Sequence, residues 1–167
     1  MRLPVLRRLA VLCVAACTFV LPATTLPAEA SGNKMHQREA EDALRPHGID
    51  WYSSGGCTNR DDAHCTSFEQ INSGTVDGVI VLRDSSGCAV TITGGTEAGH
   101  SGGTYSHWNG YKVDVRTDPQ RTTCIDTYIR DHTTYVGKRD GDHAPLYKSP
   151  HGDLYANEGH HWDILYF

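Results

Sequence analysis

Four residues in two segments have the types and spacing of a metal-assisted hydrolytic site. The first segment is Ser106-His107-Trp108-Asn109-Gly110-Tyr111-Lys112-Val113-Asp114 and the second is Glu158-Gly159-His160-His161-Trp162-Asp163. Imidazole and carboxylate both bind zinc, at about 2.0–2.2 Å. His107 and Asp114 are seven apart, which on one straight strand sets them on opposite faces. Asn109-Gly110 is a turn dipeptide, however, and a bend there lets the two converge. Glu158 and His161 are three apart, so a turn of helix or a tight loop must precede the Trp162 strand for both to enter one cleft. With His161 as third ligand, one zinc position stays open for water, the pattern of a catalytic site. Glu158 beside that water is then the general base, and later the acid for a leaving amine. His160 is the rival to His161, and the Glu-x-x-His spacing favours His161. Any one of these residues alone also fits an ordinary surface or hairpin position; the reading rests on the set.

The elements that must position them follow from periodicity and turn residues. Residues 31–44 are polar with helical character and end at Pro46-His47-Gly48. Ile49 to Tyr52 reads as a short strand. Thr66 or Ser67 caps a helix that runs through Phe68, Ile71, Val79 and Leu82 to Ser85-Ser86-Gly87. Cys88 to Thr93 and Tyr111 to Val115 alternate as strands, with Val113 and Val115 on one face and Lys112 and Asp114 on the other. Between them, Gly94 to Gly103 is a glycine-rich loop. Pro119 to Arg130 reads as a helix packing through Ile125, Tyr128 and Ile129. Thr134–Val136, Leu146-Tyr147, Leu154-Tyr155 and Trp162–Phe167 read as strands. The expected class is α+β, a small antiparallel sheet with flanking helices in a single domain.

Length and composition bound the rest. The chain has 167 residues, 15 Lys+Arg, 20 Asp+Glu and 10 His, a net charge of -5. That length suits one compact domain, and an acidic balance argues against a nucleic-acid partner. Residues 1–30 read as a secretory signal peptide: Arg2, Arg7 and Arg8, then an apolar run from Leu9 to Leu21, then Ala28-Glu29-Ala30. The apolar run is short of the roughly 20 residues that span a bilayer. Removing this segment takes away three Arg and one Glu, leaving 12 basic and 19 acidic residues and a net charge of -7 over residues 31–167. Cys57, Cys65, Cys88 and Cys124 remain, an even count that in an exported chain reads as disulfides. Three pairings are possible. Cys57–Cys65, closing a small polar loop, and Cys88–Cys124, tying a strand to a later helix, are favoured.

The stretch from Ile92-Thr93-Gly94-Gly95 through Ser106-His107-x-x-Gly110-x-x-x-Asp114, with Glu158-x-x-His161 near the C-terminus, resembles the zinc D-alanyl-D-alanine metallopeptidases. That family shares its fold with the hedgehog signalling domain. The resemblance implies zinc ligands at His107, Asp114 and His161 and a catalytic base at Glu158, and His161-Trp162-Asp163 is similar to the family's closing His-x-Asp strand. It implies an activity as well: hydrolysis of short peptides containing D-amino acids, such as the peptidoglycan stem or cross-bridge. The family's strand ends in Ser-Gly-Tyr-Arg, whereas this chain has Gly94-Gly95-Thr96-Glu97. The missing cation points to His100 or Arg116 as the substrate-binding residue.

The expectation is therefore a secreted, monomeric zinc peptidase, free of nucleic-acid partners and of the membrane once the signal is cleaved. Two alternatives stand beside it: a zinc-stabilised binding module without catalysis, and a disulfide-stapled secreted effector or inhibitor.

Overall fold

The computed structural model describes residues 32–117 and 123–167. The expected signal peptide and the expected helix start at Pro119 lie outside them. The architecture is α+β, as the alternation and helix spacing predict.

A minor two-stranded sheet pairs β1 (Lys34–Met35) with β3 (Ile71–Asn72). The main sheet has seven strands: β2 (Ile49–Trp51), β4 (Val90–Gly94), β5 (Lys112–Arg116), β6 (Thr134–Lys138), β7 (Pro145–Lys148), β8 (Leu154–Asn157) and β9 (His161–Leu165). Their spatial order is β2-β4-β5-β9-β8-β7-β6. All neighbours are antiparallel except β2 and β4, which are parallel. The parallel pair needs a long crossover, and α2 (Ser73–Ser86) lies on it.

Period-two alternation sets what each central strand buries. Val113 and Val115 of β5 and Trp162 and Ile164 of β9 are fully buried. They pack with Val76, Val79 and Leu82 of α2, Ala40 and Leu44 of α1 (Gln37–Leu44), and Ile125 and Ile129 of α3 (Thr123–His132). The 3–4 residue spacing of those helical residues is the apolar stripe that a helix turns toward a sheet. Gly87 ends α2 at φ 65°, with its N–H on the Arg83 carbonyl.

One expectation shifts at this level. The helix begins at Ser73 rather than near Thr66 because residues 66–70 are held as a turn. Two of their backbone N–H groups go to distant side chains, Ser67 to Glu97 at 2.8 Å and Phe68 to Gln37 at 2.6 Å, and those of Thr66 and Gln70 go to the Cys57 and Met35 carbonyls. The favoured disulfides, Cys57–Cys65 and Cys88–Cys124, are both formed.

Candidate metal centre

The other face of β5 and β9 carries charge. Asp114 pairs with Asp163 and Arg116 with His161 in the β5–β9 register. Like charges directly opposite on one sheet face destabilise it, and both carboxylates are only 7% exposed. The surroundings supply compensating cations. Lys112 Nζ donates to Asp163 Oδ2 at 2.8 Å, and Arg139 Nη1 donates to the same oxygen at 2.5 Å. His107, from the loop between β4 and β5, enters over the pair.

That loop is fastened at both ends. Gly110 (φ 77°) packs against the β3 backbone so closely that a Cβ would lie 2.5 Å from the Gln70 carbonyl oxygen. Its own carbonyl accepts from Asn72 N–H at 3.1 Å and from Thr75 Oγ1 at 2.8 Å. At the other end the β4–β5 register shifts between Ile92 and Gly94, a bulge of the kind found beside active sites. A Cβ on Gly94 would fall 2.3 Å from Asp114 Oδ2; the absence of a side chain there makes room for the carboxylate. Glu97 is buried and braces the turn, accepting from Gly95 N–H at 3.0 Å and from His100 Nε2 at 3.1 Å.

His107 Nδ1–H donates to the Gly95 carbonyl at 2.8 Å, which turns Nε2 toward the carboxylates. Nε2 lies 3.4 Å from Asp114 Oδ1 and 3.6 Å from Asp163 Oδ1. His161 Nε2 also lies 3.4 Å from Asp114 Oδ1. Around a tetrahedral ion with ligands at about 2.1 Å, neighbouring ligand atoms stand about 3.4 Å apart. Asp114 Oδ1 and Asp163 Oδ1 are buried with no hydrogen-bond partner among the described residues. Buried anionic oxygens without donors are costly unless a cation serves them. The donor set, two imidazoles and a carboxylate, suits zinc chemically.

In the metal-free chain that cation is His107 itself. Burial opposes its charge, but Asp114 and Asp163 outweigh burial and raise its pKa to about 9. Burial likewise works against both carboxylates, yet His107 pulls each below the usual carboxylate range.

Three further groups complete a cleft of about 660 Å³. Glu158 Oε2 sits 3.2 Å from His161 Nε2, and its Oε1 pairs with Arg139 Nη2. The tight loop expected ahead of β9 is present: Gly159 has φ 89°, and Glu158 N–H bonds the His161 carbonyl at 3.0 Å. His100 stacks on His107 with ring centroids 3.8 Å apart, and its Nδ1 is 3.8 Å from Asp114 Oδ2. His100, His107 and Asp114 have ligand atoms that all lie within 4.8 Å of one another, a set that does not include His161, whose approach is to Asp114 and Glu158. Cys57, Asp62 and Cys65 also cluster, but the disulfide leaves no thiolate to bind a metal.

The structure therefore brings His107, Asp114, His161, Glu158 and His100 to one cleft. His160 is exposed; its Nδ1 meets His161 Nδ1 at 2.7 Å. Arg116 does not line the cleft. Its guanidinium lies over the Tyr52 ring, 5.1 Å from the centroid, in an adjoining pocket that shares His100. The cleft cation that sequence reasoning missed is Arg139, just beyond β6. The run Lys138-Arg139-Asp140-Gly141-Asp142 reads as a mixed-charge loop, with no local signal of a partner in β9. A separate cavity of about 480 Å³ between α2 and α3 contains none of these residues.

Comparisons with family models, curated proteins and solved structures return no match to this chain. Among the described residues no helix is long and apolar enough to cross a membrane.

Proposed function

We propose that this protein is a secreted zinc metallopeptidase acting on short peptides that contain D-amino acids, with the peptidoglycan stem or cross-bridge as the target. The observation that supports it most is Asp114 Oδ1, buried without a donor and standing 3.4 Å from the Nε2 atoms of both His107 and His161. His107, Asp114 and His161 would hold the ion, while the Gly95 carbonyl fixes the His107 ring. A zinc ion there supplies Lewis acidity, which makes water a nucleophile near pH 7.

The chain's own groups do the rest. Glu158 Oε2 faces the ligand cluster and takes the proton of the attacking water, then returns it to the leaving amine. Asp163 anchors Lys112 and Arg139, so both cations line the same cleft as the ligands. The substrate class comes from the resemblance to the D-alanyl-D-alanine peptidases. The signal-like N-terminus and the two disulfides support export, and a monomer is the expected state.

A second reading, a zinc-stabilised binding module, draws support from one contact: the Glu158 carboxylate is already paired with Arg139. Metal analysis of residues 31–167, followed by incubation with purified peptidoglycan, separates the two. New amine termini that vanish in Glu158→Gln, with zinc retained, establish the peptidase. Zinc without release establishes the module. Absence of zinc in the purified protein, with no uptake on titration, removes both.

A further inference from the structure

We propose that Arg139 is a receptor for the terminal carboxylate of the peptide and that Asp142 occupies it as an internal stand-in. This inference rests on the peptidase reading and deepens it: the substrate is a peptide acid, and one residue is removed from its C-terminus.

Arg139 presents an edge of its guanidinium, Nε and Nη2, to a single carboxylate. Nε donates to Asp142 Oδ1 at 3.1 Å, and Nη2 donates to Asp142 Oδ2. This is the bidentate fork by which arginine recognises carboxylates. Its remaining contacts point inward, Nη1 to Asp163 Oδ2 and Nη2 to Glu158 Oε1. The three partners differ in standing. Asp163 is 8% exposed at its side chain and Glu158 26%, whereas Asp142 is 42% exposed. Asp142 belongs to the turn after β6 and is three residues from Arg139. It is the partner that an incoming carboxylate can displace without disturbing the sheet.

The other basic side chains near the cleft are committed. Lys112 is bound to Asp163 at 2.8 Å and His100 Nε2 to Glu97 at 3.1 Å, while Arg116 faces the adjoining pocket. The rest of the lining is rich in carboxylates, Asp114, Asp140 and Glu158 among them. Among the cleft's side chains, Arg139 is therefore the cation whose exposed partner an anionic peptide end can replace.

Position agrees with chemistry. Glu158 touches Arg139 with one oxygen and, through the other, comes within 3.2 Å of His161 Nε2. A single carboxyl group thus separates the guanidinium from the ligand cluster. One peptide residue covers such a gap, since consecutive Cα atoms are about 3.8 Å apart.

The test is binding, so that it stands apart from turnover. N-acetyl-D-alanine and its C-terminal amide are titrated calorimetrically into the zinc-loaded protein, its Asp142→Asn variant and its Arg139→Lys variant. The acid is expected to bind at least about tenfold more tightly than the amide, the scale of charge-assisted hydrogen bonds. Asp142→Asn tightens the acid several-fold and leaves the amide unchanged. Arg139→Lys keeps the charge but loses the fork, and the preference collapses. If Arg139→Lys fails to fold, Asp142→Asn decides alone. Equal binding of acid and amide, or an Asp142→Asn variant that binds the acid no better, overturns the proposal. Peptidoglycan hydrolysis enters neither outcome: acid selectivity without hydrolysis would defeat the peptidase reading and leave the receptor standing.

Discussion

Asp114 and Asp163 stand directly opposite each other across the β5–β9 ladder, two buried carboxylates on one face. Two such groups stay ionised only where cations meet them. Lys112 and Arg139 serve one side of Asp163, and His107 faces the oxygens that remain. Metal binding and protonation therefore compete for one imidazole.

From that competition comes a pH dependence. His107 has its pKa raised to about 9 in the metal-free protein, and a metal must displace that proton. Apparent zinc affinity rises with pH up to about 9, by as much as tenfold per unit if one proton is lost. Conversely, the charged His107 stabilises the metal-free fold fully below about 6.5, its ordinary value, and this contribution fades as pH climbs through 9. Competition titrations at pH 6, 7 and 8 check the first sign and thermal melts of the chelated protein check the second. A flat affinity profile would refute the coupling.

The two ligand groupings give opposite expectations for His100 and His161. His161 Nε2 is 3.4 Å from Asp114 Oδ1, while His100 Nδ1 is 3.8 Å from Asp114 Oδ2. His161→Ala is expected to lose zinc on dialysis, as His107→Ala does. His100→Ala keeps it with a roughly 10-fold weaker affinity, the scale of an outer-shell change. The reverse order would move the third ligand to His100.

Gly94 gives a steric test. Its Cβ would sit 2.3 Å from Asp114 Oδ2, so Gly94→Ala forces either the carboxylate or the strand aside. A cost of about 1–3 kcal/mol is expected, as for other overpacked sites. Zinc affinity falls with it. Denaturant melts with and without zinc separate the two effects, and a variant as stable and as tightly metallated as the parent would contradict the geometry.

The disulfides differ in reach. Cys57–Cys65 closes a sequence separation of 8 and Cys88–Cys124 one of 36. Loop-closure entropy assigns them about 2.5 and about 4 kcal/mol respectively. Paired Cys→Ser variants, melted separately, should show the Cys88–Cys124 variant as the less stable. Equal losses would show that native-state strain or residual unfolded structure dominates.

Much of this was legible in residue spacing. The β5 alternation set Asp114 apart from Val113 and Val115, and the Asn109-Gly110 turn accounts for how His107 returns over it. The cysteine pairs followed from which loops they close. What escaped sequence reasoning depends on contacts distant along the chain. Arg139 reaches Glu158 and Asp163 from the end of β6, although β7 and β8 lie between β6 and β9 in the sheet. The start of α2 moved because Gln37 and Glu97, far away in sequence, take the amides of residues 67 and 68. Arg116 shares a face with Asp114, yet the Tyr52 ring draws it to the neighbouring pocket. Alternation gives the face and not the direction in which a long side chain leans.

The order of strands divides the cleft into parts of unequal permanence. β5 and β9 are interior to the sheet, and β6 is its edge. Interior strands open only with the whole domain, whereas edges open locally. Asp114 and His161 thus belong to the most durable part of the molecule, and Arg139 and Asp142 to one of its least. Substitution, lengthening or shortening of the β6–β7 turn can retune what the cleft admits while the ligand spacing stays fixed. Diversification among descendants of this fold would be concentrated in that turn.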